Sequence, residues 1–184
     1  SISVAALPGM KTASIAALDL EQTSALTPGQ IASLTFYQLT ALGSDHIGVL
    51  DQSQIAALNP LQVASLGTRI GAFSTEQFSA INRGAIGGLT TGQIGALSMT
   101  QAESLTSFQV GGLTSLQLSA ISPANLATFS TADIAAISTV AIQGLTTAGI
   151  TNLSPEQLQA FTAPQLEAMN AGQIAAVIGA FGAA

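Results

Sequence analysis

Few residues in this chain could do chemistry. Its 184 residues include one histidine, three Lys/Arg and nine Asp/Glu, a formal net charge of −6. His46 closes the run Gly43-Ser44-Asp45-His46, which holds the residue types of a Ser/His/Asp triad. Neighbours within one turn of chain cannot adopt the triad's geometry, so His46 reads as a surface or capping substitute for glutamine. Asp45 and Asp51 lie close enough in sequence to share a cation, yet Asp51, like Asp19, falls where a helix cap is expected. A lone histidine with scattered acids does not make a metal site. Arg69 sits in a shortened stretch, where it marks a kink, a contact with a neighbouring subunit, or a replacement for glutamine. No catalytic, cofactor-binding or metal-binding residue is assigned, and the chain does not read as an enzyme, which needs a pocket with convergent polar groups.

The bulk composition narrows the classes further. Cysteine is absent, which removes disulfides, thiol catalysis and cysteine metal sites. The acidic balance excludes nucleic acid as a partner, because phosphate binding needs clustered Lys and Arg. Apolar residues make up 48% of the chain, too many for charge-driven disorder. They never run unbroken for the ~18 residues of a membrane span, the longest stretch lying near Ile174 to Phe181. The start Ser1-Ile2-Ser3-Val4 has neither an initiator Met nor a basic region, so no signal peptide is read there. The chain is expected to be a processed product or a piece of something longer.

What must position these residues is a repeat. Large apolar residues recur every eight positions, as at Leu34, Leu42, Leu50, Leu58 and Leu66. A seven-residue unit, 67–73, breaks the phase, and the series resumes at Phe73. Residues 3–177 divide into 22 units, 21 octads and one heptad, followed by an extension at 178–184. The whole chain, 1–184, is expected to be a single repeat domain.

Each place in the octad has its own chemistry. The first is Ser, Thr, Asp or Asn except at Lys11, Gly43 and Gly67. Pro takes the second place at 28, 60, 123 and 155, and Gln dominates the fourth. The third varies and should face solvent. The fifth is Ile, Leu, Val or Phe except at Thr23 and Ala102, the seventh is nearly always Ala, Ser or Gly, and the eighth is large and apolar. Ser/Thr as N-cap, Pro next and Gln three residues after the cap spell a capping box. Ser154-Pro155-Glu156-Gln157-Leu158 is the cleanest copy.

One continuous helix does not fit. An eight-residue step advances about 800°, about 80° past two full turns, so the apolar stripe would wind around the helix. A β-solenoid is the alternative, but places five and eight share a face only in a helix. The expectation is an all-α solenoid of very short capped helices, whose fifth and eighth places form two apolar ladders. Two octads per coil is the simplest closed choice, giving about 11 coils and a rod on the order of 100 Å at helix spacings of ~8–10 Å. Phe36, Tyr37, Phe108 and Leu116 fall on the solvent side, to make lateral contacts or to fold back as staples.

The units Thr27-Pro28-Gly29-Gln30-Ile31-Ala32-Ser33-Leu34 and Thr90-Thr91-Gly92-Gln93-Ile94-Gly95-Ala96-Leu97 resemble the tandem L-T-x-x-Q-[IL]-x-A-L octapeptides of large exported or surface proteins of Gram-negative bacteria. The resemblance covers essentially the whole chain. It implies a secreted or surface-displayed array with a structural or adhesive use, and it carries no catalytic residues to transfer. The units are also similar to the repeat start of transcription-activator-like effectors, but those repeats are much longer, and this chain's period and acidity argue against that relation.

Neither end carries the polar capping repeat that solenoids need. The functional expectation is therefore structural: part of an extracellular or cell-surface filament or stalk that stacks end to end with copies of itself. An adhesin, or an ice- or glycan-binding module using Ser/Thr ladders such as Thr90-Thr91, is the alternative, weakened by interruptions at Asn82-Arg83 and at every Pro.

Overall fold

A computed structural model describes residues 3–182. Among them every unit of the repeat contributes one helical piece, and no strand is present. The β alternative is thereby removed. Most pieces are α-helices of four to six residues, such as Pro28–Ser33 and Pro60–Ser65. Three are 3₁₀ turns, at Leu7–Gly9, Gly67–Ala72 and Ile142–Gly144. The last helix, Ala171–Gly182, is longer and runs past the final octad into the extension. Residues 183–184 of that extension lie outside the described residues.

The expected caps form. Thr27 Oγ1 accepts from Gln30 N while Gln30 Oε1 accepts from Thr27 N, and the same exchange joins Asp51 with Gln54 and Ser154 with Gln157. Helices such as Pro28–Ser33 then stop because the chain straightens. Leu34 (φ −61°, ψ 132°) and Thr35 (φ −70°, ψ 162°) are extended, and two such residues redirect the chain into the next helix.

Two compact units divide the chain, Ser1–Leu89 and Thr90–Ala184, and the division falls between octads. In each unit a helix packs on the helix three places earlier. In the first unit Pro28–Ser33 lies against Gln52–Ala56, and Phe36–Ala41 against Pro60–Ser65. In the second, Thr91–Gly95 lies against Ser115–Ala120, and Ser107–Val110 against Thr131–Ala136. Three octads therefore close one coil, which corrects the expectation of two. Three short sides leave a triangular interior, and the fifth and eighth places fill it. Ile31, Leu39, Ile47, Ile55 and Val63 are fully buried, with Leu42, Leu58 and Leu66 at the corners. Burying each such side chain contributes about 1.5–3 kcal/mol. Thr23 and Ala102, the exceptions at place five, are buried as well, and Thr23 Oγ1 donates to Asp19 O.

The seventh place touches the second place of the coil beneath. A Cβ added to Gly144 would lie 2.0 Å from Ser115 O, and one added to Gly88 2.3 Å from Pro60 O. In these two units Ala141 and Ala85 replace the usual Gln, so the backbones close up where the long side chain is missing. Gly144→Ala must push the coils apart, at an expected cost of about 1–3 kcal/mol. Gly71→Ala meets nothing within 4 Å and serves as the control. Equal urea midpoints for the two variants would refute the close approach.

Candidate functional site

The polar site that recurs through the molecule is built around the fourth place. Gln54 is fully buried, which its reading as a capping residue alone did not anticipate. Its Oε1 accepts from Asp51 N at 2.7 Å, closing the cap. Its Nε2 turns the other way and donates to Thr23 O, Ser24 O and Leu26 O, the carbonyls that end a helix 28–31 residues earlier. Thr23 O already accepts from Leu26 N, whereas Ser24 O and Leu26 O are of the kind a helix end leaves without an internal partner. Gln62 does the same to Ile31 O, Ala32 O and Leu34 O, and Gln165 to Ile134 O, Ala135 O and Ile137 O. One carboxamide thus satisfies a helix start and a helix end, and it ties two coils together. It sits at a corner of the triangle, above the junction where one helix finishes and the next begins.

The irregular units reveal what this place requires. His46 donates Nε2–H to Leu18 O at 2.8 Å, which fixes the proton of the neutral ring on Nε2. It is a tether rather than a cap: Gly43 offers no side chain to cap with, and Nδ1 is buried with no hydrogen-bond partner among the described residues. Nothing here makes a triad of Ser44, Asp45 and His46. Arg69 stands at the third place of the seven-residue unit. Its longer side chain makes up the missing residue, with Nη1 donating to Leu39 O, Thr40 O and Leu42 O, Nη2 to Ser65 O and Nε to Leu66 O. Burial pushes its pKa below the usual guanidinium range. Of its three sequence readings, substitution for glutamine is the one the geometry supports. Gly67, opening that unit with φ +54°, allows the tight entry.

Shorter side chains divide the two tasks. Asn82, at the first place, accepts from Ala85 N through Oδ1 and donates Nδ2 to Ala56 O and Leu58 O, covering for Ala85. Asn125 donates to Leu97 O at 2.8 Å but closes no capping box. Asp133 closes the box, with Oδ2 accepting from Ser130 N and Oγ, and has no proton to donate when ionised. Asp133→Gln would restore both functions. It is expected to raise stability by about 1 kcal/mol, read as a higher urea midpoint, and a lowered midpoint would count against the two-sided role.

Of the two acids weighed as a cation pair, Asp45 and Asp51, the second is engaged locally. Asp51 Oδ1 accepts from Ser53 Oγ and Gln54 N, and these bonds, the serine's first, hold its carboxyl below the usual range. Among the described residues no group of three or more His, Asp or Glu could hold a metal, and no helix is long and apolar enough to cross a membrane. Tyr37, Leu61, Leu116 and Val140, all at the third place, are at least 70% exposed, so they do not fold back as staples.

The repeat geometry agrees with one comparison. Residues 126–163 match the family model of the ALTTAQ repeat. The matched stretch includes four complete octads, from Ser130 to Phe161, so the ALTTAQ match supports tandem repeats in this part of the chain. No curated protein matches the chain.

Glutamine's second role left a signal in the sequence. A capping box accepts Glu as readily as Gln, yet the fourth place never carries Glu. Only the amide has a donor for the carbonyls.

Proposed function

We propose that this chain is a structural scaffold, a segment of an extracellular or cell-surface filament or stalk, assembling end to end with copies of itself. The observation that carries this reading is the clip between coils. The same donor and the same carbonyls recur from one coil to the next within each unit, so an interface that adds another coil is already written into the octad. The cap hydroxyls favour the structural reading over the adhesive one. Thr27, Thr35 and Thr90 each accept from their own helix starts, which gives the first-place hydroxyls a structural use. The low charge of the surface leaves little net repulsion against association. The cell-surface assignment rests on the resemblance to exported octapeptide arrays.

Light scattering across a concentration series, followed by negative-stain electron microscopy, tests the assembly. Concentration-dependent growth into linear particles is expected. A single monomeric species at every concentration would end this reading.

A further inference from the structure

We infer that one side of the coils in the compact unit Ser1–Leu89 docks against a second copy of this chain, its exposed aromatic and aliphatic groups seating on the copy's acidic side. The contact runs alongside the coils. It is separate from the end-to-end stacking proposed above, and it is available whatever coils stand before or after these. The side is formed by the octads 11–18, 35–42, 59–66 and 82–89. Thr12–Ala16 lies against Phe36–Ala41, that helix against Pro60–Ser65, and the third against Arg83–Ile86. Phe36 and Tyr37 stand out from the second helix with their rings edge to face, 5.5 Å between centroids. Leu61 holds the same place as Tyr37 one coil on, and the two are 75% and 72% exposed. Neighbouring large apolar groups held out into solvent by a repeat mark a docking surface.

Charge identifies the occupant. The four octads contain no Asp or Glu, in a chain with nine, and they carry two of its three Lys/Arg. Lys11 and Arg83, both exposed, lie one coil to either side of the apolar groups. The third cation, Arg69, is committed to five carbonyls. The octads 19–26 and 43–50 belong to the neighbouring side, where Leu20–Ser24 lies against Ser44–Gly48. That side presents Glu21 and Asp45 at the third place of stacked octads, with Leu20 exposed beside Glu21. Neither carboxyl has the capping role that occupies Asp19 and Asp51. One copy therefore offers an aromatic, cationic side and an aliphatic, anionic side, and each fits the other better than it fits itself. Opposed charge orients the pair, and Tyr37 and Leu61 contribute the apolar burial. Because the two patches differ, the contact is heterologous and can repeat sideways from copy to copy.

Charge reversal in both directions tests the fit. Lys11→Glu/Arg83→Glu makes both sides acidic, and Glu21→Lys/Asp45→Lys makes both basic. Each double variant alone should need about tenfold more protein to associate, read by light scattering at low salt. An equimolar mixture of the two should associate at the parent's concentration, since contacts between unlike chains regain opposite charges. Tyr37→Ser/Leu61→Ser should weaken association about tenfold with the charges intact. All three should keep the parent's urea midpoint, because the substituted side chains are exposed and close no cap. Association unchanged in both charge variants, or a mixture no better than its components, would overturn this contact and leave end-to-end stacking standing. Sedimentation of the parent with phosphatidylglycerol vesicles, lost in Lys11→Glu/Arg83→Glu, would give the side to an anionic lipid surface and likewise overturn it. No association of the parent at all would overturn this contact and the stacking together.

Discussion

Gln54→Glu is expected to destabilise its coil by about 3–5 kcal/mol at neutral pH, although it preserves size, shape and the capping box. The glutamate can still accept from Asp51 N. What it loses is Nε2, which donates to Thr23 O, Ser24 O and Leu26 O from a fully buried position. A buried acceptor left unsatisfied costs about 1–3 kcal/mol, and a carboxylate placed against carbonyl oxygens adds repulsion. Capping alone predicts no loss, because Glu and Gln serve that role equally. The urea midpoint of the Glu variant distinguishes the two accounts. Hydrogen exchange locates the damage, with faster exchange expected in both 51–58 and 19–26. A midpoint within 0.5 kcal/mol of the parent would reduce the fourth place to a cap and remove the clip as the basis of coil stacking.

Arg69 carries the second large effect. Arg69→Met keeps most of the aliphatic stem but loses donors to five carbonyls, Leu39, Thr40, Leu42, Ser65 and Leu66. Charged donors contribute more per bond than neutral ones, so the expected cost is about 3–5 kcal/mol. Arg69→Gln should not rescue it. In the seven-residue unit the donor starts one place early, and glutamine is too short to span from there to the coil four units back. Restoring an eighth residue between Thr68 and a glutamine at 69 should recover most of the loss. Rescue by Arg69→Gln alone would mean that reach is not what this unit demands.

Both variants probe a feature that was only partly legible. Apolar residues at places five and eight, Ser/Thr at one and Gln at four were enough to read a helix start in each octad, since caps and short-range periodicity are local properties. The seventh place was legible as small, and Gly88 and Gly144 show how closely the coils approach there. The number of octads per coil was not legible. It depends on the angle through which a pair of extended residues such as Leu34 and Thr35 turns the chain, and residue types allow many such angles. His46 and Arg69 likewise looked like isolated oddities, because their carbonyl partners lie 27–30 residues away.

The octad alone determined the class of fold. It specifies where each helix starts, which side is apolar and how soon the chain must turn, and short helices with one wet side survive only by stacking. The tertiary structure decided that three octads make a coil and that the fourth place faces inward. The reason is one of hydrogen-bond supply. Each short helix leaves carbonyls at its end that its own unit cannot satisfy, and the donor that meets them comes into range only once the next coil is laid down.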